Sequence, residues 1–133
     1  MNSIALTCVA ALGLLLFGLG LGVSTVRFRT SILTGDPKDP VSLLSKCVRA
    51  HGNTAENVGF IAVLLLYLGS HNPAPWVVWT MVAITVCRYL LAAGLLLAPS
   101  MDKPNPLRFA GAIGTYSCGL ALSVALLFSL GSS

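Results

Sequence analysis

The sequence predicts an all-α integral membrane protein, a bundle of four spanning helices forming one domain. Three observations predict it. Of 133 residues, 56% are hydrophobic and only 9% charged, whereas soluble domains run near 25% charged, so most of the surface is expected to face lipid. Mean hydropathy is +0.87. Four long apolar stretches recur along the chain, divided by short polar segments rich in proline.

Span one is read over 4–26. Met1-Asn2-Ser3 carries no charged side chain, unlike the basic start of a secretory leader. The apolar run that follows covers about 23 residues, and about 20 cross a bilayer. Gly18 and Gly22 are spaced to permit close helix approach. Arg27 to Pro40 reads as a polar loop with a turn at Gly35-Asp36-Pro37. Span two is read over 41–69, with Ser42 placed to cap it. Its second half is almost wholly apolar, but its first half holds Lys46, Arg49, His51, Asn53, Glu56 and Asn57. Span three is read over 76–98, with Arg88-Tyr89 well inside it, and span four over 107–130. Pro99, Pro104 and Pro106 interrupt the helix between them. No internal repeat is evident.

The basic side chains set an orientation. Arg27, Arg29 and Lys38 lie in the first connection, Lys103 and Arg108 at the third, and none in the second. The positive-inside rule then puts connections one and three in the cytoplasm and both termini on the opposite side. Tyr67, Trp76 and Trp79 fall where an outer aromatic belt belongs. A bacterial inner membrane and an endoplasmic reticulum fit equally. The net charge of +4 is dispersed, so no nucleic-acid face is expected. The four cysteines form no CxxC motif and read as packing residues, with no metal site.

At 100° per residue, Arg49, Asn53 and Glu56 share one helix face within about 60°, with Phe60 continuing the stripe and His51 nearly opposite. A charge at a membrane helix centre costs about 2.5–3.5 kcal/mol on insertion scales, so such groups face protein or a wet cavity and mark function by default. A cation, an amide and a carboxylate in line suit a zwitterionic ligand; a network tying helices together is the alternative. Arg88 reads either as a partner for Glu56 across the helix interface or as a cation that polarises a bound anion.

The run Arg49-Ala50-His51-Gly52-Asn53-Thr54-Ala55-Glu56-Asn57, followed by an apolar half-helix, resembles the helix-two signature of the MAPEG family, the membrane-associated proteins in eicosanoid and glutathione metabolism. The resemblance extends over the whole chain in length and number of spans, and in strong detail over helix two. It implies a homotrimer with glutathione as co-substrate, bound between subunits near the cytoplasmic face. The implied activity is that of a transferase or peroxidase acting on lipophilic electrophiles or lipid hydroperoxides that enter from membrane lipid. By the same resemblance Arg49, Asn53, Glu56 and Tyr89 bind glutathione, His51 reaches a neighbouring subunit's site, and Arg27 or Arg29 contributes from the end of helix one. Arg108 matches the arginine that stabilises the thiolate, with Arg88 as the alternative catalytic cation. Helix three departs from the family pattern: Leu90–Leu97 contains no hydroxyl, where several relatives have a second tyrosine. A non-catalytic glutathione-binding or scaffold protein of the same fold is therefore the second reading. A small transporter or channel subunit is the third.

Overall fold

The computed structural model describes residues 1–34 and 38–130. They form four helices: α1 (Ser3–Thr30), α2 (Leu43–Ser70), α3 (Pro75–Leu97) and α4 (Pro106–Leu130). The fold is the expected all-helical bundle. Helices α1, α3 and α4 are each long and apolar enough to cross a membrane. Helix α2 is as long as α1, but polar residues such as Asn53, Glu56 and Asn57 make it less apolar than these three.

Local chemistry explains the ends. The Asn2 side-chain Oδ1 accepts from the backbone N–H of Ile4 at 2.9 Å and Ala5 at 3.3 Å, capping α1. Ser42 Oγ caps α2 by accepting from Ser45 N at 3.1 Å, as expected. Pro75 and Pro106 open α3 and α4, where the missing N–H is no loss. Asn105 Oδ1 accepts from Arg108 N at 3.1 Å in the first turn of α4. Helix α1 runs four residues past its expected end at Val26. Nothing in Arg27-Phe28-Arg29-Thr30 breaks a helix, and the chain leaves it only at Ser31, which is left-handed with φ 58°. Arg27 and Arg29 thus lie on the last helical turn, where cations complement the helix dipole. The turn expected at Gly35-Asp36-Pro37 lies outside the described residues.

The closest helix pairs are neighbours in sequence, α1 with α2 and α3 with α4. Helix α2 packs on α3 between these hairpins, and the backbones of α1 and α4 make no close approach among the described residues. The α3–α4 seam is closed by glycines. A Cβ at Gly111 would lie 2.5 Å from Leu91 N and 2.7 Å from Cys87 O, and one at Gly94 would lie 2.8 Å from Arg108 Cα. A Cβ at Gly114 would run into Cys87 Sγ. Gly18 and Gly22, by contrast, have nothing within 4 Å. The packed face of α1 is Ala5, Cys8, Leu12 and Leu19, so the expected close approach at Gly18 and Gly22 does not occur within this chain.

Two apolar clusters fill the interior. The larger joins Ala5, Leu12, Ile61, Leu65, Met81 and Leu122 towards the end bearing the aromatic residues. The smaller joins Leu19, Ala50, Leu91, Ala92 and Leu95 towards the basic end. Between them lies a polar layer of Thr54, Thr85 and Arg88, all buried. Cys8 and Cys47 are buried, Cys87 and Cys118 half-buried, and all four are free thiols.

Candidate functional site

The polar layer is organised by Arg88. This side chain projects from α3 and is 1% exposed. Its Nη2 donates to three oxygens of α2: Asn53 Oδ1 at 2.7 Å, Asn53 backbone O at 3.0 Å and Thr54 Oγ1 at 3.3 Å. Its buried Nε has no hydrogen-bond partner among the described residues. One of the two sequence readings of Arg88 paired it with Glu56. It is bound instead by Asn53 and Thr54, because these face α3 while Glu56 turns outward and is exposed.

The stripe on α2 is open to its surroundings. Arg49 and Glu56 are exposed and Asn53 is half-buried. Glu56 and Asn57 stand at one end of a groove of about 520 Å³ between α2 and α4. Phe60 and Leu64 on α2, Ile84 beneath, and Thr115, Tyr116 and Leu120 on α4 supply the rest of its wall. A charged and amide-bearing end therefore passes into an apolar trough with hydroxyls. Asn57 was legible in the motif but carried no assigned role. Its Nδ2 donates to Asn53 O at 2.9 Å, which makes it part of the same arrangement.

The remaining candidates lie elsewhere on the chain. The His51 ring is half-buried against α1: a Cβ at Gly20 would sit 3.2 Å from its Cε1. Its Nδ1 is buried without a hydrogen-bond partner among the described residues. Tyr89 Oη donates to Ala11 O on α1 at 2.8 Å, so its hydroxyl is turned away from the α2 stripe. Arg27 Nη1 donates to Ile32 O at 3.2 Å, securing the end of α1, and Arg29 is exposed beside it, in a groove with Lys38 and Ser42.

Arg108 occupies a separate groove of about 750 Å³ with Met101, Asn105 and Phe109. It is half-buried, and its Nη1 donates to Met101 O at 2.8 Å. No hydrogen bond or ion pair links it to the α2 stripe among the described residues. The connection that leads into α4 is nevertheless moored to the basic end of α2. Met101 N donates to Pro40 O at 3.0 Å and Lys46 Nζ to Pro99 O at 3.3 Å. One chain thus brings Arg88, Asn53, Thr54 and Asn57 together and leaves Tyr89 and His51 on the α1 side. No group of three or more His, Cys, Asp or Glu able to hold a metal occurs among the described residues.

No curated protein and no solved structure matches the chain. Compared with known protein families, residues 5–128 match the MAPEG family. That match spans all but the ends of a four-helix bundle whose second helix carries the polar signature: the chain belongs to the MAPEG family.

Proposed function

We propose that this protein is a glutathione-dependent membrane transferase or peroxidase. The observation that carries the reading is the α2 stripe, with Arg49 and Glu56 open to a ligand and Asn53 held between them by the buried Arg88. Arg49 to Glu56 rises roughly 10 Å at 1.5 Å per residue. An extended tripeptide covers about the same length at 3.3–3.6 Å per residue. Glutathione has two carboxylates, an ammonium and a thiol. Arg49 suits a carboxylate through its planar fork, and Glu56 suits the ammonium.

Glutathione supplies a nucleophilic sulfur, and the protein's part is to hold it and favour its ionised form. A thiol loses its proton with a pKa of roughly 8.5, lowered beside a guanidinium. Arg108 is the cation for this role: it is half-buried and open to its own groove, whereas Arg88 is enclosed and engaged with α2. Arg88 is a positioning residue in this reading. Transfer forms a carbon–sulfur bond and expels the acceptor's leaving group. Hydroperoxide reduction consumes two glutathiones and yields an alcohol, water and the disulfide. The acceptor is apolar and enters from lipid, for which the trough of Phe60, Leu64 and Leu120 is suited.

A homotrimer belongs to the same proposal. Tyr89 and His51 face the α1 side of a chain, and Arg49 and Glu56 face away from it. A neighbouring copy would bring the two sets onto one ligand. With loops one and three cytoplasmic, the stripe opens towards the cytoplasmic half of the bilayer.

The test is conjugation of glutathione to a small aromatic electrophile by purified protein. Arg108→Ala is expected to lower kcat about 10²-fold or more, the scale of a single transition-state donor. Arg49→Ala is expected to raise the KM for glutathione. Absence of turnover in folded wild-type oligomer overturns the enzyme reading. Saturable glutathione binding without turnover instead supports a binding protein, which the lack of any hydroxyl across Leu90–Leu97 favours.

A further inference from the structure

Asparagine is ambiguous in a binding site, because its amide both donates and accepts. Two asparagines lie one helical turn apart on α2, and each has half of its amide already engaged. Asn53 Oδ1 accepts from the Arg88 guanidinium at 2.7 Å. The opposite amide orientation would set an NH₂ group against a cationic donor, so this bond fixes which way the amide points. Its Nδ2 makes no hydrogen bond with any described residue. At Asn57 the engagement is reversed. Nδ2 donates to Asn53 O at 2.9 Å, and Oδ1 is unengaged at the wall of the groove that Glu56 also lines.

We propose that Arg88 and the α2 backbone polarise these two amides in opposite senses, so that Asn53 meets the ligand only as a donor and Asn57 only as an acceptor. The inference rests on the glutathione reading and adds a ligand orientation to it. Donors Arg49 and Asn53 occupy the basic end of the stripe, and acceptors Glu56 and Asn57 the deeper end. A zwitterionic peptide is read with a carboxylate or carbonyl towards the basic end and its ammonium against Glu56 and Asn57. Asn57 thereby becomes a binding residue, and Arg88 a positioning residue that acts through Asn53.

The sign of the Asn53 contact is directly testable. Asn53→Asp keeps the shape and the acceptor facing Arg88, but replaces the donor with a second acceptor. Its thermal midpoint is expected to equal or exceed that of wild type, because the new carboxylate meets the Arg88 guanidinium. Its affinity for glutathione, measured by calorimetry in detergent, is expected to fall about tenfold or more, the scale of one hydrogen bond to a charged group. Asn57→Leu is expected to weaken glutathione by a similar factor. It should leave unchanged the affinity for a glutathione analogue lacking the α-amino group, a selectivity that mere loss of packing would not produce. Asn53→Asp binding glutathione as tightly as wild type overturns the donor assignment. Asn57→Leu weakening both ligands equally overturns the acceptor assignment. Wild type showing no saturable binding overturns the glutathione reading itself, so the two failures are distinct.

Discussion

Replacing Gly94 by alanine tests whether the backbone of α4 is set against α3 in order to place Arg108. The new Cβ would lie 2.8 Å from Arg108 Cα and 3.0 Å from Arg108 Cβ, where ordinary contact begins at 3.4 Å. The obstruction is largely backbone, so a rotamer change cannot relieve it. Arg108 N lies nearer still, so the first turn of α4 must withdraw by more than the shortfall of about 0.6 Å between 2.8 and 3.4 Å at Arg108 Cα. Overpacking of this kind costs about 1–3 kcal/mol, and the better helix propensity of alanine returns roughly 0.8–1 kcal/mol. The net loss of stability is then about 0–2 kcal/mol, small enough for the protein to remain folded. Catalysis is more sensitive, because a misplacement of about 1 Å can cost 10²-fold. The expected outcome is a kcat lowered about tenfold or more, with the KM for glutathione near wild type because the α2 stripe is untouched. Steady-state kinetics at saturating electrophile, on an oligomer verified by sedimentation, gives the answer. A kcat within about twofold of wild type would show that the placement of Arg108 does not govern the reaction. A KM rising in step with the fall in kcat would show that the substitution disorders the whole site.

Two further predictions concern the ends of the bundle. A Cβ at Gly69 would lie 2.5 Å from the Ala5 Cβ, so Gly69→Val should lower stability by about 1–3 kcal/mol. Its effect on glutathione affinity per folded molecule should be negligible, since Gly69 is at the end remote from Arg49; thermal midpoint and calorimetry together check this. Cysteines introduced at Lys38 and Asn72 into a variant with its four native cysteines replaced by alanine should react with a membrane-impermeant maleimide from opposite sides. Labelling of both from the same side would rule out the proposed topology.

The fold was legible because membrane helices announce themselves by length and apolarity, and prolines and caps mark their ends. Ser42 acts as the sequence suggests, whereas Pro75 and Pro106, expected just outside spans three and four, open α3 and α4. The end of α1 was not legible, because basic residues signal the edge of a membrane and not the end of a helix, and Arg27–Thr30 remain helical. The angular grouping of Arg49, Asn53 and Glu56 was also readable, since helical geometry alone sets it. The partner of Arg88 was not. Charge complementarity made Glu56 one candidate, but α2 presents Asn53 and Thr54 to α3, and inter-helix rotation is decided by packing that no single helix encodes. The spacing of Gly18 and Gly22 likewise permits an approach that no helix of the same chain makes, whereas Gly94 and Gly111 bring α3 and α4 into contact.

The contact of Arg88 with α2 also has a bearing on biogenesis. The strongest packing lies within two sequence-local hairpins, α1–α2 and α3–α4, which would enter a bilayer as two units. Once there, a hairpin bearing an unsatisfied guanidinium near its middle is costly to leave in lipid. The acceptors that relieve it sit on the hairpin made first, at Asn53 and Thr54. Arg88 therefore gives the later hairpin a reason to seek the earlier one, and it fixes their rotational register by a few directed bonds. The link that aims the Asn53 amide doubles as an assembly latch, so a variant that loosens it should accumulate as two inserted but undocked halves before it is lost to quality control.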